Sequence, residues 1–283
     1  MLITSSLIAL ALQVGPNTAG PDQLGTPEEL LNRPAREEPQ SEASDPATQW
    51  LVECLDLVAQ DPARAHSQAQ IRRSQSMGTD RVLANHCLGL AATELQLWDD
   101  AIVAFIAARD ETPDDEKRAR ARFGAMAGNA AIGAGDADRA LALLRTAKSD
   151  AEAAASAPLQ AIAATDLARV MVPLGMLEDA LTELELATVL QPEEASTWLL
   201  KATLLRRLER LDEAQTSIER AGELAPTSPE IGLEAGVIAV LSGREDAARQ
   251  SWQSVIDLAP ESPEAQTAQS YLAQIEPALE TGP

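Results

Sequence analysis

Cys54, Cys87, His66 and His86 are the residues of this chain best suited to covalent, metal or acid–base chemistry, and they are its only cysteines and histidines. Two thiols can close a disulfide, and thiolates with imidazoles can hold a zinc ion. The spacing matches no zinc signature, and the adjacent His86 and Cys87 point in different directions on a helix. The chain has no Gly-rich phosphate loop ending in Gly-Lys-Ser or Gly-Lys-Thr, no nucleophile elbow and no His-Glu-x-x-His pair. With two histidines, most nucleophilic and acid–base schemes lack a natural base. Carboxylates are plentiful, at 44 Asp and Glu, but they gather where helices should begin, which is poor evidence for paired-carboxylate hydrolysis. No catalysis, cofactor or metal is therefore expected. A thiol- or metal-dependent activity centred on Cys54, His86 and Cys87 is the rival.

The elements that must position these residues are helices. Ala and Leu abound, while Phe, Tyr and Trp number two, one and four, so helix formers dominate over strand-favouring aromatics. From Thr48 onward apolar residues recur at helical spacing in stretches broken by short turns. Pro113, Pro192, Pro226 and Pro260 each stand twelve residues after an alanine, namely Ala101, Ala180, Ala214 and Ala248, and the last three prolines are 34 residues apart. Proline lacks the amide needed to continue a helix and biases the residue before it away from one. The prolines therefore mark turns between helix pairs, and Gly135, Gly175 and Gly243 mark turns within them. The clearest pair places a first helix at Ser196 to Leu208 and a second at Asp212 to Leu224. Small residues, Gly89, Ala168, Ala202 and Gly236, are expected opposite Ala101, Ala180, Ala214 and Ala248 where paired helices cross. Phe105, Leu184, Ile218 and Trp252 are expected to fill space between one unit and the next.

These residues resemble the tetratricopeptide-repeat pattern. Trp198, Ala202, Ala214, Ile218, Ala221 and Pro226 fit it in one unit; Gly236, Gly243, Ala248, Trp252 and Pro260 fit it in the next, although Gly232 stands where a Trp belongs. Leu88, Gly89, Ala101, Phe105, Ala108 and Pro113 repeat it earlier, as do Leu167, Ala168, Gly175, Ala180, Leu184, Ala187 and Pro192. Units are expected near 48–80, 82–115, 116–158, 161–194, 195–228 and 229–262, with a capping helix at 264–276. The third departs from the period, its closing helix running through Ala-rich sequence to Pro158. The resemblance implies an all-α, right-handed superhelical solenoid of five to six repeats whose first helices line a concave, peptide-binding groove. Arg122, Asn129, Arg169 and Arg206 fall on its groove-facing positions, with Leu199, Leu233, Val237 and Val240 lining its C-terminal part. A carboxylate clamp of the kind found in one branch of the family is not expected. Of its five positions, Ala125, Asn129, Asp166, Ser196 and Leu200, only Asn129 matches.

Cys54 and Cys87 fall about one repeat apart, on first helices of adjacent units, within reach of a disulfide. That bond is expected if the chain is exported; two buried thiols are expected in a reducing cytoplasm. Leu2 to Val14 is apolar, with Ala9-Leu10-Ala11 as a cleavage-like site but no basic n-region, and residues 1–14 read as a short export signal into a periplasm or the medium. The run is too short to span a bilayer. Residues 15–47, rich in proline, hold seven acids and two bases and read as a disordered acidic linker. Net charge is −22, which repels nucleic acid and anionic membranes. The expected partner is an unidentified protein or peptide, basic or apolar, with self-association as the alternative.

Overall fold

In a computed structural model of the chain, residues 45–275 are described. The expected export signal at residues 1–14 and most of the expected acidic linker at 15–47 lie outside them. The described residues form thirteen helices: α1 (Pro46–Gln60), α2 (Pro62–Gln75), α3 (Thr79–Glu94), α4 (Trp98–Glu111), α5 (Lys117–Gly133), α6 (Ala137–Ala153), α7 (Ala157–Met171), α8 (Leu177–Leu190), α9 (Ala195–Arg207), α10 (Leu211–Leu224), α11 (Pro229–Leu241), α12 (Glu245–Leu258) and α13 (Pro263–Ile275). They stack as six antiparallel pairs with α13 across the open end, each helix packing on its sequence neighbours. This is an all-α helical solenoid. Pro113, Pro192 and Pro226 lie in loops between pairs, and Pro260 lies in the loop between the last pair and α13.

Within the later pairs the chain reverses through one left-handed residue. Gly135, Gly175 and Gly243 have φ of 74°, 76° and 73°, but Gln96 and Glu209 take the same conformation at 57° and 61° without being glycine. Each reversal is closed by one amide reaching back five residues, such as Leu97 N–H to Ala92 C=O at 2.8 Å and Arg210 N–H to Leu205 C=O at 2.9 Å. That hydrogen bond satisfies a carbonyl the ending helix would otherwise leave bare. Acidic residues occupy the first turns of α4, α6, α8, α10 and α12, where they complement the helix dipole.

The bulky residue of each second helix meets a small residue of its own pair's first helix more directly than the sequence indicated. A Cβ added at Gly89 would run into the Phe105 ring, at Gly128 into Leu144 and at Gly236 into Trp252. The space opened by glycine is thus filled within the pair, while Phe105, Leu144, Leu184 and Ile218 also belong to one core that continues through successive pairs. Trp252 additionally donates its indole N–H to the Leu233 carbonyl at 3.1 Å. At the C-terminal end, Ala265 and Ala268 of α13 are buried with Trp252 and Val255, and the Tyr271 ring lies 5.2 Å from that of Trp252.

The Ala-rich stretch does not prolong its helix to Pro158. α6 stops at Ala153, Ala155 takes φ 47°, and Ser156 N–H closes onto Ala151 C=O at 3.2 Å. Pro158 stands in the first turn of α7, where its missing amide costs nothing. The extra length instead lies in α5 and α6, each of 17 residues, whereas α9 to α13 run to 13 or 14. The junction between the third and fourth pairs therefore uses the tight turn otherwise found inside pairs.

Candidate protein-binding groove

First helices of successive pairs touch directly, α5 with α7 and α9 with α11. Second helices reach one another through long charged side chains: Arg109 of α4 to Asp150 of α6 at 2.8 Å, and Lys148 of α6 to Glu183 of α8 at 2.6 Å. Close approach on one side and spacing on the other makes the first-helix side the concave one.

On that side a cavity of about 860 Å³ opens between α5 and the α6–α7 turn, lined by Arg118, Arg122, Ala125, Met126, Asn129, Ala155, Ser156, Ala157, Pro158, Leu159 and Ile162. Arg118, Arg122, Met126 and Asn129 follow one another at helical spacing, which aligns them along a single stripe of α5. Arg120 faces away and is spent on the preceding loop, donating to the Thr112 carbonyl at 2.9 Å and pairing with Asp114 at 3.1 Å. Among the described residues, Arg118 and Arg122 are exposed and form no ion pair, although α5 begins with Lys117 and Arg118, the sign its dipole disfavours.

Beyond the cavity the stripe meets a carboxylate that sequence reasoning treated only as a mismatch. Asn129 donates its amide to Asp166 Oδ2 at 2.9 Å, and Arg169 donates to Asp166 Oδ1 at 3.1 Å. Asp166 is 6 % exposed at its side chain, and burial pushes its pKa above the ordinary value against the opposing pull of Asn129 and Arg169. The three bridge α5 to α7, and nothing in the 37-residue separation announces it. Arg169, half exposed, also borders a second hollow of about 190 Å³ with Val172, Leu200 and Arg207.

The remaining groove candidates are partly buried. Arg206 is tied to Glu234 of α11, its Nε at 2.6 Å and Nη2 at 3.3 Å from the two carboxylate oxygens, so its charge is already matched. Leu199 packs on the main core, and Leu233, Val237 and Val240 pack on the C-terminal core that includes α13. Cys54 of α1 and Cys87 of α3 are joined, with Sγ atoms 1.99 Å apart and Cα atoms 6.3 Å apart. His86 sets its ring edge-on to Phe123 at 5.2 Å, and burial lowers its pKa. His66 Nε2 stands 3.5 Å from Asp100. Among the described residues no three His, Cys, Asp or Glu side chains gather as a metal shell.

No protein-family model matches the chain, and no curated protein matches it. Solved structures do. PilW, described as a widely conserved type IV pilus biogenesis factor, aligns with a TM-score of 0.63 at 18 % identity, over 79 % of this chain and 96 % of PilW. PilF of Pseudomonas aeruginosa aligns at 0.62 and 16 % identity, over 80 % of this chain and 97 % of its own. YrrB, described as a TPR protein with an unusual peptide-binding site, aligns at 0.50 and 18 % identity, over 67 % and 92 %. The chain has the tetratricopeptide-repeat fold. Identities this low carry the fold alone, so the groove of this tetratricopeptide solenoid is defined by its own side chains.

Proposed function

We propose that this chain is a non-catalytic scaffold that holds a segment of another protein along the concave face of α5, α7 and α9. The observation that carries the reading is the cavity between α5 and the α6–α7 turn, where polar groups without internal partners stand over the apolar floor of Met126, Leu159 and Ile162. A scaffold needs a concave, largely pre-formed surface with a few directed polar groups, and no reacting centre. The likeness to YrrB, a TPR protein with an unusual peptide-binding site, supports the same use. Location in a bacterial cell envelope is part of the proposal. It is supported by the apolar residues 2–14 and by the Cys54–Cys87 bond, since disulfides persist in oxidising compartments.

A photo-crosslinking residue at Ile162, inside the cavity, should join the chain to a discrete partner in cells expressing it. The same residue at Val189 of α8, which is 78 % exposed, should not. Equal crosslinking from both positions, or none from Ile162, overturns the groove. Fractionation tests the placement, and recovery of the uncleaved chain from the cytoplasm with two free thiols overturns export.

A further inference from the structure

We infer that the segment seated between α5 and α7 is acidic at that point, its carboxylates meeting Arg118 and Arg122. This deepens the groove reading above and rests on it. The sequence alone, with 44 acidic against 22 basic residues, points to a basic or apolar partner. The cavity reverses that expectation locally.

Eleven residues line it, and none is a carboxylate. In a chain with twice as many acids as bases this lining leaves two guanidiniums without an ion pair among the described residues. Elsewhere on the same face Arg169 pairs with Asp166 and Arg206 with Glu234, while Arg207 beside the smaller hollow forms no ion pair among the described residues. Asp115 and Glu116 border the adjoining recess, together with Lys117, Arg118 and Arg122. A planar guanidinium presents paired donors that match a carboxylate. Arg118 and Arg122 stand one turn apart, so they address neighbouring carboxylates, while Asn129 lies about 10 Å further along α5, the length of about three extended residues. Met126, Leu159 and Ile162 offer an apolar seat between these polar ends. The occupant that fits is therefore a short protein segment with two nearby acidic side chains followed by an apolar one.

The net charge of −22 also limits what carries that segment. A polyanion such as nucleic acid is repelled over its whole length, whereas a few carboxylates on an otherwise neutral or basic protein reach the cavity at little cost.

Selection from a displayed library of short random peptides on the full chain tests this. Peptides enriched on the wild-type chain should carry paired Glu or Asp, should weaken with added salt, and should lose at least about tenfold in affinity on an Arg118→Glu/Arg122→Glu variant. They should bind an Arg64→Glu/Arg73→Glu variant, altered outside the cavity, within about twofold of wild type. Circular dichroism melting confirms that each variant is folded, and Arg118→Gln/Arg122→Gln, which adds no repulsion, should give a smaller loss in the same direction. Enrichment of neutral or basic peptides, or acidic peptides indifferent to both arginine variants, overturns the inference. If such peptides still lose binding on Ile162→Glu, the groove stands and only its acidic preference falls; if they do not, the groove falls as well.

Discussion

Asp166 shows how one side chain can hold a binding surface in place at a cost. Its carboxylate is buried yet accepts from Asn129 and Arg169, and burial outweighs both, raising its pKa above the ordinary carboxylate value. The native state therefore binds a proton on Asp166 more readily than the unfolded chain does. Its contribution to stability is full below about pH 4 and is lost as pH rises through the raised folded-state pKa. Wild type should accordingly gain stability relative to an Asp166→Asn variant as pH falls from neutral toward 4, with no further gain below. Urea unfolding of both proteins across that range measures it, and a difference that is flat or runs the other way refutes the assignment. A residue of this kind was poorly legible in sequence. Asn129 was recognisable as groove-facing from its place on a first helix, but its partner, like Glu234 for Arg206, lies on another pair, and pattern reading within a unit says nothing of contacts made across units.

The helices and their pairing were legible because their punctuation is chemical. Proline removes an amide between pairs, and Gly135, Gly175 and Gly243 supply positive φ within them. Gln96 and Glu209 occupy equivalent reversals without any such mark, since the turn is imposed on them by the pairing of the flanking helices. Left-handed backbone costs an ordinary L-residue about 1–2 kcal/mol, part of which glycine gives back through its freer unfolded state. Glu209→Gly should therefore stabilise the chain by about 0.5–1 kcal/mol, and Gly243→Ala should destabilise it by about 1 kcal/mol. Denaturant titration compares the two; the same sign for both would refute the equivalence of the turns. The α6–α7 junction escaped sequence reading for a related reason. Alanine continues a helix by propensity, and only the packing of α7 onto its neighbours ends α6 at Ala153. That early stop brings the α6–α7 turn into the wall of the cavity.

A linear array has no distant contacts to protect its ends, so its stability is close to a sum of units and their interfaces. Here both ends are fastened, one by the Cys54–Cys87 bond across α1 and α3, the other by α13 over Trp252. The bond spans 33 residues, and loop closure of that length corresponds to about 3–4 kcal/mol in the chain-entropy description. Reduction, or a Cys54→Ser/Cys87→Ser variant, should lower the melting temperature and should accelerate amide exchange in α1 and α2 far more than in α9 to α12. Uniform acceleration along the chain would mean that the bond tightens the whole unit and not its end.

Fraying in such a molecule is a question of direction. With the bond closed, neither end of the array of described helices is a free place to begin, and opening it requires several pairs to give way together. With the bond open, the repeats can unzip from the α1 side one after another while α13 still guards the far end. The groove formed by α5 and α7 would then sit two pairs from an advancing edge, so the oxidation state of two cysteines that touch no ligand would set how long a bound segment finds its seat intact.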